Sequence, residues 1–265
     1  MLSLDFMQHA YEAGTIVAIL CGIVGVFVVA RKLSFLAHTL SEIGFSGAAF
    51  GVWIGWAPFQ SMMLFTFLSS ILASRIGINQ QRRDAATSSV SALFMGLGVL
   101  FLSFSSKNAS YTTSILFGSI VGISFGNVIQ IIVVSMIVMI LTMLIYRRLK
   151  FDSFDQIGSQ IADRQNSYIN IIFIVMMALS VSVASQIVGA LLIFILLTLP
   201  AYTAQFYARS VSAMIFISIG LSLVGTWLGL YLAYETNWPV TFFIAAIETF
   251  FYLASLFAKT IKAQK

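Results

Sequence analysis

His38 and Glu42 stand four residues apart in the stretch RKLSFLAHTLSEIGFSGAAFG, residues 31–51. On a helix, an i, i+4 pair can bring an imidazole nitrogen and a carboxylate oxygen toward one point. That donor pair suits a borderline divalent ion such as zinc or manganese. On a helical wheel Ser34, His38, Ser41 and Glu42 fall within about 100° of one another, so the polar groups form one stripe. Gly44, Gly47, Ala48, Gly51 and Gly55 gather on the roughly opposite side, and the four-residue spacing of Gly47, Gly51 and Gly55 invites close approach of a neighbouring helix. One face is therefore expected to pack and the other to line a cavity. Two donors make an incomplete metal site, and two copies meeting at a symmetry axis would supply four. The alternatives are a His–Glu hydrogen bond that only stabilises a bundle, or a pair exposed at a membrane interface. Arg31 lies only about 10–16 Å away along the helix at 1.5 Å per residue, which leaves shallow placement open.

Glu248, in FFIAAIETFFYLASLF (residues 242–257), is the other acid set deep in an apolar run. An ionisable group at such a depth normally faces a bundle interior or an aqueous path, so Glu248 joins Ser34 and Ser41 as a path-lining candidate. A buried hydrogen bond to a neighbouring helix is the competing role. His9 and Glu12 fall near a segment end, where solvation accounts for them.

The elements that must position these groups are membrane helices. Apolar residues make up 60% of the chain and charged residues 9%, with a mean hydropathy of +0.99. A soluble domain carries about a quarter charged residues, so this is an all-α polytopic membrane protein. Apolar stretches long enough for a roughly 30 Å hydrocarbon core recur near 13–30, 35–55, 59–77, 86–105, 127–146, 168–184, 188–205, 211–232 and 239–258. The reading is a single domain, 1–265, with about nine crossings, eight to ten being open. VSVASQIVGA (181–190) is either a turn or a kink, and 110–123 is a candidate re-entrant element. The first residues hold Asp5 and Glu12 in place of the basic start of a signal peptide, so the first apolar segment is expected to be retained. With nine crossings and an external N-terminus, 13 of the 14 basic residues fall on the cytoplasmic side, with Lys107 as the exception. The C-terminus is then cytoplasmic, and Trp53, Trp56 and Trp238 lie at the outer interface. The net charge of +5 gives no reason to expect nucleic acid, because the basic residues sit at helix ends.

Short loops leave no room for a soluble catalytic domain, with one exception. In KFDSFDQIGSQIADRQNS (150–167), Phe151, Phe154, Ile157 and Ile161 recur at helical spacing, with Asp152, Asp155, Gln160 and Asp163 between them. This pattern predicts a short amphipathic cytoplasmic helix lying along the membrane or docking into a partner, and its acidity favours a protein partner over anionic lipid. The lone Cys21 forms no disulfide framework. No phosphate-binding Gly-Lys-Ser/Thr loop, His-Glu-x-x-His or nucleophile elbow is present, so no catalytic residue, bound cofactor or nucleotide hydrolysis is assigned to this chain. An ATP-independent transporter or channel with an intramembrane His/Glu relay would call for inverted repeats, and none is evident.

Three blocks carry a family resemblance. Residues 31–51 resemble the segment after the first helix in permeases of the zinc/manganese/iron ABC importers, where an Arg, then Ser three positions on, precedes Gly-Asp and a His four positions past the Asp. VGALLIFILLTLPAYTAQFYARS (188–210) resembles the family's late motif, a Leu-rich turn running into Pro-Ala, then Ala or Ser, then Thr-Ala. SILFGSIVGIS (114–124) resembles its Leu-Phe-Gly stretch. The blocks occur in family order and span nearly the whole chain. The resemblance implies a permease paired with a second copy, cytoplasmic ATPase subunits that hold the ATP, and an extracytoplasmic metal-binding protein. The transported ion would be zinc or manganese, with iron as a further option. It also implies that 150–167 is the coupling helix, with Phe151, Phe154, Asp155, Ile157 and Ile161 at the ATPase dock. The departure lies at the donors: the family's Asp falls at His38, its His at Glu42 and its Gly at Ala37. Acid and imidazole have exchanged places, which a metal tolerates if the donor atoms still converge.

Overall fold

The computed structural model describes residues 5–75, 80–105, 118, 125–155, 166–190 and 193–263. Among them nine helices follow one another: α1 (Asp5–Ala30), α2 (Ser34–Ile54), α3 (Pro58–Arg75), α4 (Gln80–Phe104), α5 (Phe125–Phe154), α6 (Asn166–Val188), α7 (Ile193–Tyr207), α8 (Val211–Thr236) and α9 (Val240–Ala263). Each expected crossing has its helix. Six helices among the described residues (α1, α4, α5, α6, α8 and α9) contain segments long and apolar enough to span a membrane. The apolar parts of α3 and α7 are shorter, and α2 is held below that hydropathy by its own polar residues.

The boundaries follow from local chemistry. Gly55 closes α2 in the left-handed region at φ 77°, with Trp56 N–H donating to the Gly51 carbonyl at 2.7 Å, and Pro58 opens α3. A glycine just past one helix and a proline at the start of the next need no further explanation. Gly55 is thus a cap with nothing near its Cβ position, and the expected packing stripe is carried by Gly44, Gly47 and Gly51 instead. In VSVASQIVGA the helix continues to Val188 and stops at Gly189, whose φ of 81° few side chains tolerate. Ser210 caps α8 by accepting from the Ala213 N–H at 3.2 Å. The expected re-entrant element at 110–123 falls outside the described residues apart from Gly118.

α1 is the hub, packed against α5, α6, α7 and α8. Its Phe27 ring meets Tyr146 of α5 and Phe173 of α6 edge-on, each with ring centroids 6.3 Å apart. α2 packs against α3, α4, α6 and α7. In lipid there is little hydrophobic drive between helices, so close backbone approach and interhelical hydrogen bonds must hold such a bundle. The glycines supply the approach. A Cβ at Gly47 would lie 2.8 Å from the Ser61 carbonyl oxygen of α3, and one at Gly25 would lie 1.9 Å from the Leu197 carbonyl oxygen of α7. The hydroxyls supply bonds: Thr66 of α3 and Ser182 of α6 lie 2.7 Å apart, oxygen to oxygen. Met143, Leu144 and Phe216 point outward, as lipid-facing residues do.

Gly25→Ala is expected to wedge α1 from α7 and cost about 1–3 kcal/mol, as overpacking does. It should lower the melting temperature of the purified protein in detergent. Gly96→Ala, with nothing within 4 Å of its Cβ position, should leave melting unchanged.

Candidate functional site: a half-open stripe between α2 and α7

From Leu36 to Ala49, every α2 residue is buried except His38 and Glu42. Their side chains are 33% and 16% exposed, and His38 Nε2 lies 3.6 Å from Glu42 Oε1. That separation is longer than a hydrogen bond, so nitrogen and oxygen lean toward a shared point while each remains open to a third atom. The other ring nitrogen, Nδ1, is buried without a hydrogen-bond partner. An imidazole tightly engaged in a structural network would spend both nitrogens; this one spends neither on a good hydrogen bond.

Three contacts lay α2 antiparallel along the 190–202 stretch. Ser34 Oγ and the Tyr202 hydroxyl are 3.1 Å apart. The His38 ring lies 5.1 Å from the Phe194 ring, tilted by 56°. Ser41 donates its hydroxyl to the Ala190 carbonyl. As residue number rises on α2 it falls on the partner stretch, so two segments far apart in sequence make one surface. Ser41 is buried by this bond. It anchors the turn at the end of α6, where a carbonyl without a helical partner needs a donor. Ser34 stays half-buried beside Tyr202, in line with His38 and Glu42.

Glu248 is brought elsewhere. It is fully buried on α9 and faces Gly225 of α8, where a Cβ would come within 2.2 Å of its Oε1. Only a glycine leaves that room. Neither carboxyl oxygen has a hydrogen-bond partner, nor do the buried hydroxyls of Ser218, Ser222 and Thr226 on α8. One turn along α9, Tyr252 reaches back to the Tyr202 and Phe206 rings of α7. Among the described residues no group of three or more His, Cys, Asp and Glu side chains comes together.

At the stretch expected to dock a partner, α5 continues past the expected end near residue 146 to Phe154. Phe151 and Phe154 therefore ride on the last turns of a 30-residue helix and stand exposed there. Asp155 follows, its N–H donating to the Phe151 carbonyl at 2.9 Å. Ile157 and Ile161 lie outside the described residues. Sequence reasoning missed Phe194, Tyr202 and Ala190 as the stripe's partners. The available signal was Tyr202, a large hydroxyl-bearing ring where the late motif carries Ala or Ser.

Comparison with known proteins covers the whole of this arrangement. The sequence profile of the ABC 3 transport family matches residues 3–259. The manganese import system permease protein ScaB of Streptococcus parasanguinis is 29% identical over 253 residues, 95% of this chain and 90% of its own. The high-affinity zinc uptake system membrane protein ZnuB of Buchnera aphidicola is 27% identical, over 95% of this chain and 97% of its own. Among solved structures, PsaBC from Streptococcus pneumoniae in complex with Fab aligns with a TM-score of 0.86 at 27% identity, covering 96% of this chain and 92% of that one.

Ser41→Ala is expected to cost about 1 kcal/mol, the net worth of one buried hydrogen bond, and more if the Ala190 carbonyl finds no other donor. A drop in the melting temperature, with Ser41→Thr retaining more of it than Ala, would show the bond. Equal melting of Ala and wild type would remove Ser41 from its anchoring role.

Proposed function

The chain belongs to the ABC 3 transport family, and we propose that it is the translocation subunit of an ATP-driven importer carrying manganese or zinc into the cytoplasm. The observation that carries this reading is the burial pattern of α2, which is closed from Leu36 to Ala49 except at the two residues able to bind a divalent ion. Relatives named for manganese and zinc support the choice of cargo. The family match leaves the ATP-independent relay without support.

In the mechanism we propose, a metal ion released on the outer side exchanges part of its hydration shell for His38 nitrogen and Glu42 oxygen. One imidazole and one carboxylate from each of two copies would give four donors, a mixed set acceptable to either ion. Few donors per chain suit a carrier, which must release what it binds. Ser34 continues the stripe toward the cytoplasmic end. Ser41 serves the path indirectly, through its bond to the Ala190 carbonyl, while Glu248 sits apart between α8 and α9. The exchanged order of acid and imidazole leaves the donor chemistry intact.

The energy comes from outside the chain. ATP bound to separate cytoplasmic subunits would draw them together, pull on 150–167 through Phe151, Phe154, Asp155, Ile157 and Ile161, and switch the bundle between outward and inward openings. An extracytoplasmic binding protein would deliver the ion. The cytoplasmic C-terminus follows from the distribution of basic residues.

The double variant His38→Ala with Glu42→Ala is expected to abolish metal uptake in reconstituted vesicles while the ATPase still co-purifies; normal uptake would sink the reading. Competition between labelled manganese and zinc in the same assay identifies the cargo. Phe154→Asp places a charge on the exposed apolar end of α5 and should release the ATPase on purification. Retention of the partner at wild-type yield would move the dock away from this turn.

A further inference from the structure

A basic residue flanking a span usually keeps its charged head at the membrane surface, and Arg31 directly precedes α2. Its side chain is instead only 7% exposed, turned inward among protein groups. Nε donates to Ser153 Oγ at 2.8 Å, Nη1 donates to Asn170 Oδ1 at 3.4 Å, and Nη2 pairs with the Asp152 carboxylate. The guanidinium also lies over the Phe173 ring, 4.8 Å from its centroid. Burial lowers the Arg31 pKa from its ordinary value, against the opposing pull of Asp152. The fixed fork of an arginine is one of few groups that can serve three acceptors and a ring at once.

The location of those partners is what matters. Asp152 and Ser153 close α5, while Asn170 and Phe173 belong to the first turns of α6. Asp152 and Ser153 lie at the start of the 150–167 stretch and Asn170 and Phe173 just past its end, so a single guanidinium holds both flanks. Ser153 is itself tied down, donating to the Leu149 carbonyl at 2.6 Å. On the other side, Arg31 stands in a corner only three residues long between α1 and α2. Lys32 there has φ 55°, and the Leu33 N–H donates to the Val28 carbonyl at 2.9 Å. A corner so closely bonded has little slack. From it α2 begins at Ser34, and His38 follows about 10 Å beyond Arg31 at 1.5 Å per residue.

We infer that Arg31 is a positioning residue that links the ATPase-docking stretch to the metal path, so that movement of the α5 and α6 ends reaches the α1–α2 corner and rotates or shifts the His38/Glu42 stripe. This rests on the reading of 150–167 as the ATPase dock. Arg31 touches neither metal nor nucleotide; its role is mechanical. The buried ion pair is a stiff link, because separating its members leaves an unpaired charge away from water.

The test uses the whole importer in vesicles: this chain, its ATPase subunits and its metal-binding protein. Arg31→Lys keeps the charge and loses the fork, and Arg31→Met keeps the stem alone. Asn170→Ala removes one flank, and Arg31→Asp with Asp152→Arg restores the ion pair in reverse. The readouts are ATPase co-purification, ATP hydrolysis, and metal ions moved per ATP. Coupling between sites commonly amounts to several-fold to over a hundredfold, so transport per ATP is expected to fall about tenfold in Arg31→Lys and Arg31→Met. Co-purification and hydrolysis should persist, and the reversed pair should recover part of the ratio. An unchanged ratio in Arg31→Met would overturn the inference. So would uptake and hydrolysis falling together, in step with loss of folded protein, across Arg31→Lys and Asn170→Ala as well. Failure of the wild-type chain to retain an ATPase would overturn the docking reading separately, whatever the Arg31 variants do.

Discussion

A helix bundle in lipid cannot rely on expelling water from between its members, because hydrocarbon is as good a neighbour as leucine. What holds this chain together is close backbone approach at small residues, reinforced by hydroxyl bonds. Gly25 lets α1 meet the Leu197 carbonyl, Gly47 lets α2 meet the Ser61 carbonyl, and Gly225 makes room for Glu248. α7, which carries Pro200 in its interior, is positioned by α1 on one side and by Ser34, His38 and Ser41 on the other. The stripe that would handle the ion is thus a consequence of where α7 can sit.

In the proposed mechanism the metal path and the energy input share one end of α2. At its start, Arg31 gathers the ends of α5 and α6; one turn on, Ser34 meets Tyr202; another turn on, His38 meets Phe194. Tyr202 also touches Tyr252 of α9. Each link joins groups with few alternative arrangements, which is what lets a displacement travel without being absorbed. Glu248 and the α8 hydroxyls stand apart from this line, as a buried polar seam between α8 and α9 whose room is supplied by Gly225.

Much of this was legible in the sequence, for an identifiable reason. Span number and placement depend on apolar length and on charges at segment ends, both of which are local and measured against a bilayer of known thickness. The shared face of His38 and Glu42 was likewise legible, since two polar groups four residues apart on a helix must share one. The swapped donors were legible as a departure, though their consequence for the site was not. The tight turn at Gly55 was mistaken for packing because a four-residue glycine spacing looks the same whether the last member touches a helix or ends one.

The sequence by itself determined that the chain is a multi-helix membrane protein and that an imidazole and a carboxylate share a stripe on α2. Only the tertiary structure decided that this stripe stays half open, that Ser41 is spent on Ala190, that Arg31 turns inward, and that Glu248 faces α8. These outcomes rest on hydrogen-bond partners 149 residues away for Ser41 and as many as 139 away for Arg31. Periodicity within one helix says which residues share a face, but a face acquires its role from whichever distant segment close packing brings against it.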